Sequence, residues 1–256
     1  MSVKSTNDNQ EISDRVFLSV IIPTYNESEN IFKLLDEICK NTNESNYEIL
    51  VVDDNSPDGT GKLVEEFIEK NVPQISHNKK IVVRLITRKK KEGIIRALLD
   101  GIDESKGENI LVMDADFSHL PDYIPDFLNT LKENDNYDIV IGSRYVNGGS
   151  IVGWPITRHL LSKGANYFAK TWLNVKTNDI TTGFFLVRKK ILSNVHFTTN
   201  GHQFLLELLV KADYKIAKEI PIKFQNRIRG KSNLDSTDIK NFISSVIELR
   251  KFKKIR

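Results

Sequence analysis

Two aspartates separated by one small residue, Asp114-Ala115-Asp116, follow the apolar run Ile110-Leu111-Val112-Met113. Strand alternation sends side chains two apart to the same side, and the alanine between them leaves room for a ligand. Carboxylates held so close repel one another unless a cation lies between them. Mg²⁺ or Mn²⁺ suits such a pair, because it needs few protein oxygens and completes its shell from water and substrate phosphates. There it would serve a departing diphosphate as Lewis acid and template. Helix-capping loop aspartates are the plainer alternative, and the position at the end of an apolar strand weighs against it. A second acidic group, Asp53-Asp54-Asn55-Ser56, closes the run Ile49–Val52, and Pro23-Thr24-Tyr25-Asn26-Glu27 closes the run Leu18–Ile22. An aspartate at such an edge accepts hydrogen bonds from a base or a ribose. Tyr25 offers a ring for a base and Glu27 a carboxylate for ribose hydroxyls; Ser56 and Asp58 are better placed to cap the next helix. Glycine-rich phosphate loops of the dinucleotide or P-loop type are absent, which argues against a dinucleotide-dependent oxidoreductase and leaves nucleotide phosphates to metal and arginine.

These edges need elements to hold them. Short β-branched runs predict strands at Leu18–Pro23, Glu48–Asp53, Ile81–Ile86, Asn109–Asp114 and Asp138–Gly142, with helical spacing at about 28–41, 58–70, 92–105 and 121–132. Four such alternations imply parallel strands with right-handed crossovers. Beyond Gly142 the pattern predicts a Gly/Pro-rich loop, a helix over about 156–173, a strand at Gly183–Arg188, a helix at His202–Ala212 and a strand near Ile216–Gln225. A C-terminal helix would gather Ile239, Phe242, Ile243, Val246 and Ile247 on one side. The fold class is α/β: a Rossmann-like, mostly parallel sheet flanked by helices, with a C-terminal amphipathic helix.

The length of 256 residues suffices for one large core, and 28% charged residues mark a well-solvated surface. No apolar stretch approaches the roughly 20 residues of a membrane span, and the polar residues 1–16, expected to be flexible, lack the apolar run of a signal peptide. A lone cysteine, Cys39, permits no intrachain disulfide and fits a reducing setting. From Arg227 onward nine Lys/Arg face three Asp/Glu, so the basic surplus sits in the tail while the body is slightly acidic. That distribution suits a local anionic partner such as a phosphate or lipid headgroup rather than nucleic acid. The run Arg88-Lys89-Lys90-Lys91 reads equally as a solvated loop or as a functional one.

Five segments carry a resemblance: VIIPTYNESENI (20–31), VVDDNSPDGT (51–60), VMDADFSHLP (112–121), IGSRYVNGG (141–149) and TGFFLVRK (182–189). In this order they resemble the inverting family-two glycosyltransferases of GT-A fold, and among them the polyprenol-phosphate (dolichol-phosphate) mannosyltransferases, over roughly Leu18 to Leu234. The resemblance implies a catalytic domain at 17–234 and a basic amphipathic helix at 235–256 that could touch a membrane surface. It implies that Pro23, Tyr25, Glu27, Val52, Asp54, Asp114, Ala115, Asp116, Ser118 and Arg227 meet the nucleotide sugar, GDP-mannose. Asp114, Asp116 and Ser118 would meet the metal, with Ser118 standing where some members have Gln. Arg144, Arg158, Ser162 and Lys231 would meet the acceptor phosphate, a polyprenyl or dolichyl phosphate, and Asp116 and Arg144 would serve catalysis. Two departures stand out: Asn233 occupies the place of a usual Lys, with Lys231 or Arg229 as substitutes, and Ile94-Ile95-Arg96 follows Gly93 where small residues are commoner.

Transfer to a sugar hydroxyl needs a base, yet Thr181-Thr182-Gly183-Phe184 has no carboxylate where related enzymes place one, the nearest being Asp179. A phosphate monoester, with a second pKa near 6, is already anionic at neutral pH. It needs positioning and charge screening, which arginine forks supply. His119 reads as a helix-entry residue ahead of Pro121, and Trp154 and Trp172 as packing residues. Lacking a spanning helix, the chain is expected to be peripheral at the cytoplasmic face of a membrane, to use a small membrane-anchoring subunit, or to be shorter than its natural form. The alternatives are the same chemistry from UDP-glucose or another donor, and a non-catalytic nucleotide-binding subunit of a membrane glycosylation complex, which Asp116→Ala would distinguish from an enzyme.

Overall fold

Strand β1 (Leu18–Thr24) opens a regular alternation of strands and helices. The computed structural model describes residues 16–42, 46–75, 80–198, 203–226 and 236–255. After β1 come α1 (Ile31–Asn41), β2 (Asn46–Asp53), α2 (Thr60–Ile75), β3 (Lys80–Thr87), α3 (Ile94–Glu104) and β4 (Asn109–Val112). A 3₁₀ turn at Pro121–Tyr123 leads into α4 (Ile124–Glu133) and β5 (Tyr137–Ser143). The later elements are β6 (Ser150–Val152), α5 (Ile156–Leu173), β7 (Phe185–Arg188), α6 (Phe204–Lys211), β8 (Ile216–Pro221), β9 (Lys223–Gln225) and α7 (Ser236–Ile255).

Seven strands form one sheet in the order β3-β2-β1-β4-β7-β5-β8. Pairing is parallel throughout except for β7, which runs antiparallel to both β4 and β5. The reversal has a functional consequence. It brings the residues just before β7, Asp179–Phe184, to the same edge as the carboxyl ends of β1, β2, β4 and β5. Ligands of open α/β sheets bind at that edge.

Burial follows strand alternation. Val20, Ile22, Ile49 and Val51 face Leu34, Leu35 and Ile38 of α1, Phe67 of α2 and Phe127 of α4. Ile21, Leu50, Val52 and Ile110 face Leu98 and Ile102 of α3, in a core that continues to Ala169, Leu205, Val246 and Leu249. Strands covered on both faces are the arrangement parallel sheets require.

Three boundaries differ from the sequence reading. The β4 ladder stops at Val112, two residues before Asp114, because the backbone N–H of Asp114 turns to the His119 side chain. The strand expected near Ile216–Gln225 is two strands, β8 in the main sheet and β9 paired in parallel with β6 in a small second sheet. Helix α7 forms, but it does not gather its apolar residues on one side: Val246 and Leu249 are buried, Phe242 is partly buried, and Ile243 and Ile247 are exposed. The cause is that α7 packs against both α5 and α6, so two of its faces meet protein.

Candidate active site

At the end of β4 the two aspartates take different environments. Asp116 is 3% exposed. Its Oδ1 accepts from the Ser118 backbone N–H at 3.0 Å and from the Ser118 hydroxyl at 2.6 Å. This closed turn forces Phe117 to φ +60°, a left-handed conformation rare for a bulky residue and of a kind that clusters at functional sites. The Asp114 side chain is 34% exposed, and its carboxylate accepts no hydrogen bond from any described residue. It rests against Gly183, where an added Cβ would stand 3.1 Å from Asp114 Oδ1.

His119 fixes this turn. Burial lowers its pKa below the ordinary value, against the pull of Asp114 and Asp116, so the ring is neutral at pH 7. Its Nδ1 accepts the Asp114 N–H at 3.2 Å, which places the ring proton on Nε2. The ring stacks on Phe184 at 5.0 Å and meets Phe224 edge-on at 5.5 Å. The plain helix-entry role is therefore too small for it.

The residues present fit a divalent cation. An accessible carboxylate with no donor among the described residues, beside a glycine where an added Cβ would crowd it, is the kind of ligand a hard cation takes. Among the described residues no cluster of three or more His, Cys, Asp or Glu converges, so water and substrate oxygens would complete the shell. The hydroxyl proton of Ser118 is committed to Asp116, which leaves only its lone pairs for a metal.

The nucleotide side gathers at β1 and β2. Tyr25 is 38% exposed and Pro23 is half-buried. The Glu27 carboxylate accepts from the Asn30 amide at 2.9 Å. The side chain of Val52 is fully buried in the core, so only its backbone can face a ligand. Asp53 is structural, accepting from Ser56 N–H and hydroxyl and from Thr24. Asp58 caps α2 through Thr60 and ties down the Ser28 N–H. Asp54 is 5% exposed and paired with Arg88, while its other oxygen accepts the Gly93 N–H at 3.2 Å. Arg88 also reaches Glu92 at 2.7 Å and Asp100 at 2.9 Å. Arg88 is thus part of the wall of this edge, while Lys89, Lys90 and Lys91 of the same run are exposed. Its signal in the sequence was its place immediately after a strand.

Across the edge, Arg144 does not stand open. It is 8% exposed and binds Asp179, itself fully buried, through Nε and Nη2 at 2.7 Å each and through its backbone N–H at 3.0 Å. Burial works against its charge, but Asp179 more than offsets this and its pKa is raised. Arg144 also donates to Thr181, and its guanidinium lies 5.3–5.7 Å from the rings of Tyr145, Phe224 and Trp154. Arg158 on α5 is stacked over Trp154 at 4.1 Å. Ser162, one turn on, accepts from the Tyr145 hydroxyl at 2.8 Å. Trp154 is therefore part of the site's wall, and Trp172 packs on Phe168 at 5.4 Å with 49% of its surface exposed. Arg227 and Lys231 lie outside the described residues, as do Arg229 and Asn233.

Residues 19–195 match the family described as Glycosyl transferase family 2. The chain belongs to that family. Two relatives of the chain are the Dolichol-phosphate mannosyltransferase of Pyrococcus furiosus, 38% identical over 239 residues, and the Polyprenol monophosphomannose synthase of Mycolicibacterium smegmatis, 34% identical over 241 residues. The alignments cover 92% and 90% of this chain, and 64% and 85% of those relatives. This family-2 chain thus spans less than two thirds of the Pyrococcus protein. Among solved structures, the mannosyltransferase of Pyrobaculum calidifontis, in complex with GDP-mannose and Mn²⁺, superposes with a TM-score of 0.62 at 18% identity, over 91% of this chain and 65% of that one. The shared architecture is the GT-A type of α/β fold.

Proposed function

We infer that this protein transfers mannose from GDP-mannose to a polyprenyl phosphate, with inversion and with help from a divalent cation, to give a β-linked lipid-phosphate sugar. The observation that carries the reading is the confinement of Asp179. The nearest carboxylate on the acceptor side is fully buried and spent on Arg144, and Gly183 stands beside Asp114. Among the described residues no carboxylate is left there as a base, so the acceptor must arrive already nucleophilic. A phosphate monoester does, with a second pKa of about 6. The names of the Pyrococcus and Mycolicibacterium relatives support mannose and a polyprenyl phosphate, and the ligands of the Pyrobaculum structure support GDP-mannose and a metal.

Asp114 and Asp116 would hold a divalent cation, which when bound would supply positive charge to the departing diphosphate. The chain's own groups do the rest. Tyr25, Glu27 and Asp54 frame the nucleoside, with Asp54 held by Arg88. Arg158 and Ser162 orient the incoming phosphate from α5, so that one phosphate oxygen faces the sugar carbon opposite its bond to GDP. Arg144 acts as a fixed positive charge and holds the Asp179–Thr181 turn.

The acceptor's tail places the site beside a bilayer, and α5 suits that task better than the expected C-terminal helix. While Arg158 and Ser162 face the site, Ile156, Leu160 and Tyr167 are 78%, 64% and 73% exposed, and Leu161, Phe168 and Trp172 are also open. No helix among the described residues is long and apolar enough to cross a membrane. An apolar helix face flush with the site fits a helix lying in the headgroup layer. Incubation with Mg²⁺, a short polyprenyl phosphate and labelled GDP-mannose tests the donor: a mannosylated lipid is expected, and product formed only from a UDP-sugar overturns it.

A further inference from the structure

The face of Tyr25 is not bare. The ammonium of Lys91 sits 3.7 Å from the ring centroid, about the spacing at which a stacked base would lie. Lys91 itself is exposed and stands between two anchors of the same loop. Three residues before it, buried Arg88 is held by Asp54, Glu92 and Asp100. Two residues after it, Gly93 at φ +93° gives its N–H to Asp54. Asp54 grips both ends, so the loop is fixed while the Lys91 side chain remains free to swing.

We propose that Lys91 reads the nucleobase: it covers the Tyr25 platform until the nucleotide arrives, yields the ring to the base, and then bonds the carbonyl edge of that base. A single cation–π contact at an exposed site is weaker than base–aromatic stacking, so the base displaces the ammonium. The pinned loop keeps the displaced ammonium within a side chain's reach of the ring. An ammonium has only donors to offer. Guanine presents two acceptors, O6 and N7, uracil presents one at the equivalent position, and adenine presents an amino donor beside N7. Lys91 therefore favours guanine most, uracil less and adenine least. This deepens the donor reading and rests on its assignment of the Tyr25 edge to a nucleotide.

The test is calorimetric titration of GDP, UDP and ADP into wild type, Lys91→Met and Lys91→Arg with Mg²⁺ present, which needs no turnover. Lys91→Met should weaken GDP about tenfold, the loss of one charge-assisted hydrogen bond. UDP should weaken less, and ADP should hold steady or tighten as the platform is uncovered. Lys91→Arg should restore GDP. Equal weakening of all three would mean that Lys91 senses only phosphate charge, and unchanged GDP affinity would mean that it senses nothing; either overturns the inference. If wild type prefers UDP, the donor reading fails, while a UDP loss in Lys91→Met would still uphold carbonyl reading by Lys91.

Discussion

Asp114 and Asp116 are two residues apart in sequence and divide the work between them. Asp116 is bound into its own turn by Ser118, whereas the accessible Asp114 carboxylate receives no hydrogen bond from a described residue. Asp114→Asn should therefore leave the unfolding temperature close to wild type and cut turnover on the order of 10²–10³-fold, the scale for removing one fixed electrostatic contact to developing charge. Thermal melts beside initial rates check this, and a large drop in stability would assign Asp114 to the fold instead. The sequence made this pair visible because its signal is local, an apolar run followed at once by acid. It did not show the seat of Asp114. Gly183 lies 69 positions on and reaches Asp114 only because β7 is reversed. Arg144 and Asp179, 35 residues apart, were both noticed as residues and missed as a pair for the same reason.

Among the elements, α5 is the one proposed to decide how the acceptor meets the site. Its place beside the site was legible at Arg158 and Ser162, but its exposed side was not, since apolar spacing alone does not say whether a neighbour covers it. The same limit hid which residues of α7 are covered: Val246 and Leu249 are buried against protein, while Ile243 and Ile247 are exposed. Substituting Leu160 and Trp172 together with Glu should leave folding and GDP binding nearly unchanged. It should reduce binding to anionic lipid vesicles at least about tenfold, because transfer of one such side chain is worth about 1.5–3 kcal/mol. Co-sedimentation with vesicles measures this. Undiminished binding would return the membrane contact to another surface.

In the whole molecule, the parallel half of the sheet supplies the proposed donor edge and the residues before the reversed strand supply the proposed acceptor edge. The loops after β1, β2 and β4 each contain a non-glycine residue at positive φ, namely Asn26, Asn55 and Phe117, and all three border the site. Strain gathered at one edge is consistent with a framework built to hold ligands there. The alternation of strands and helices made the parallel half readable from the sequence. The insertion of β7 depends on contacts distant in sequence and was not readable. On this account no carboxylate among the described residues serves the acceptor as a base, because the acceptor brings its own charge. The most direct measurement offers polyprenyl phosphate and the matching free polyprenol side by side with GDP-mannose. Mannose is predicted to pass to the phosphate alone, and comparable transfer to the alcohol would contradict the account.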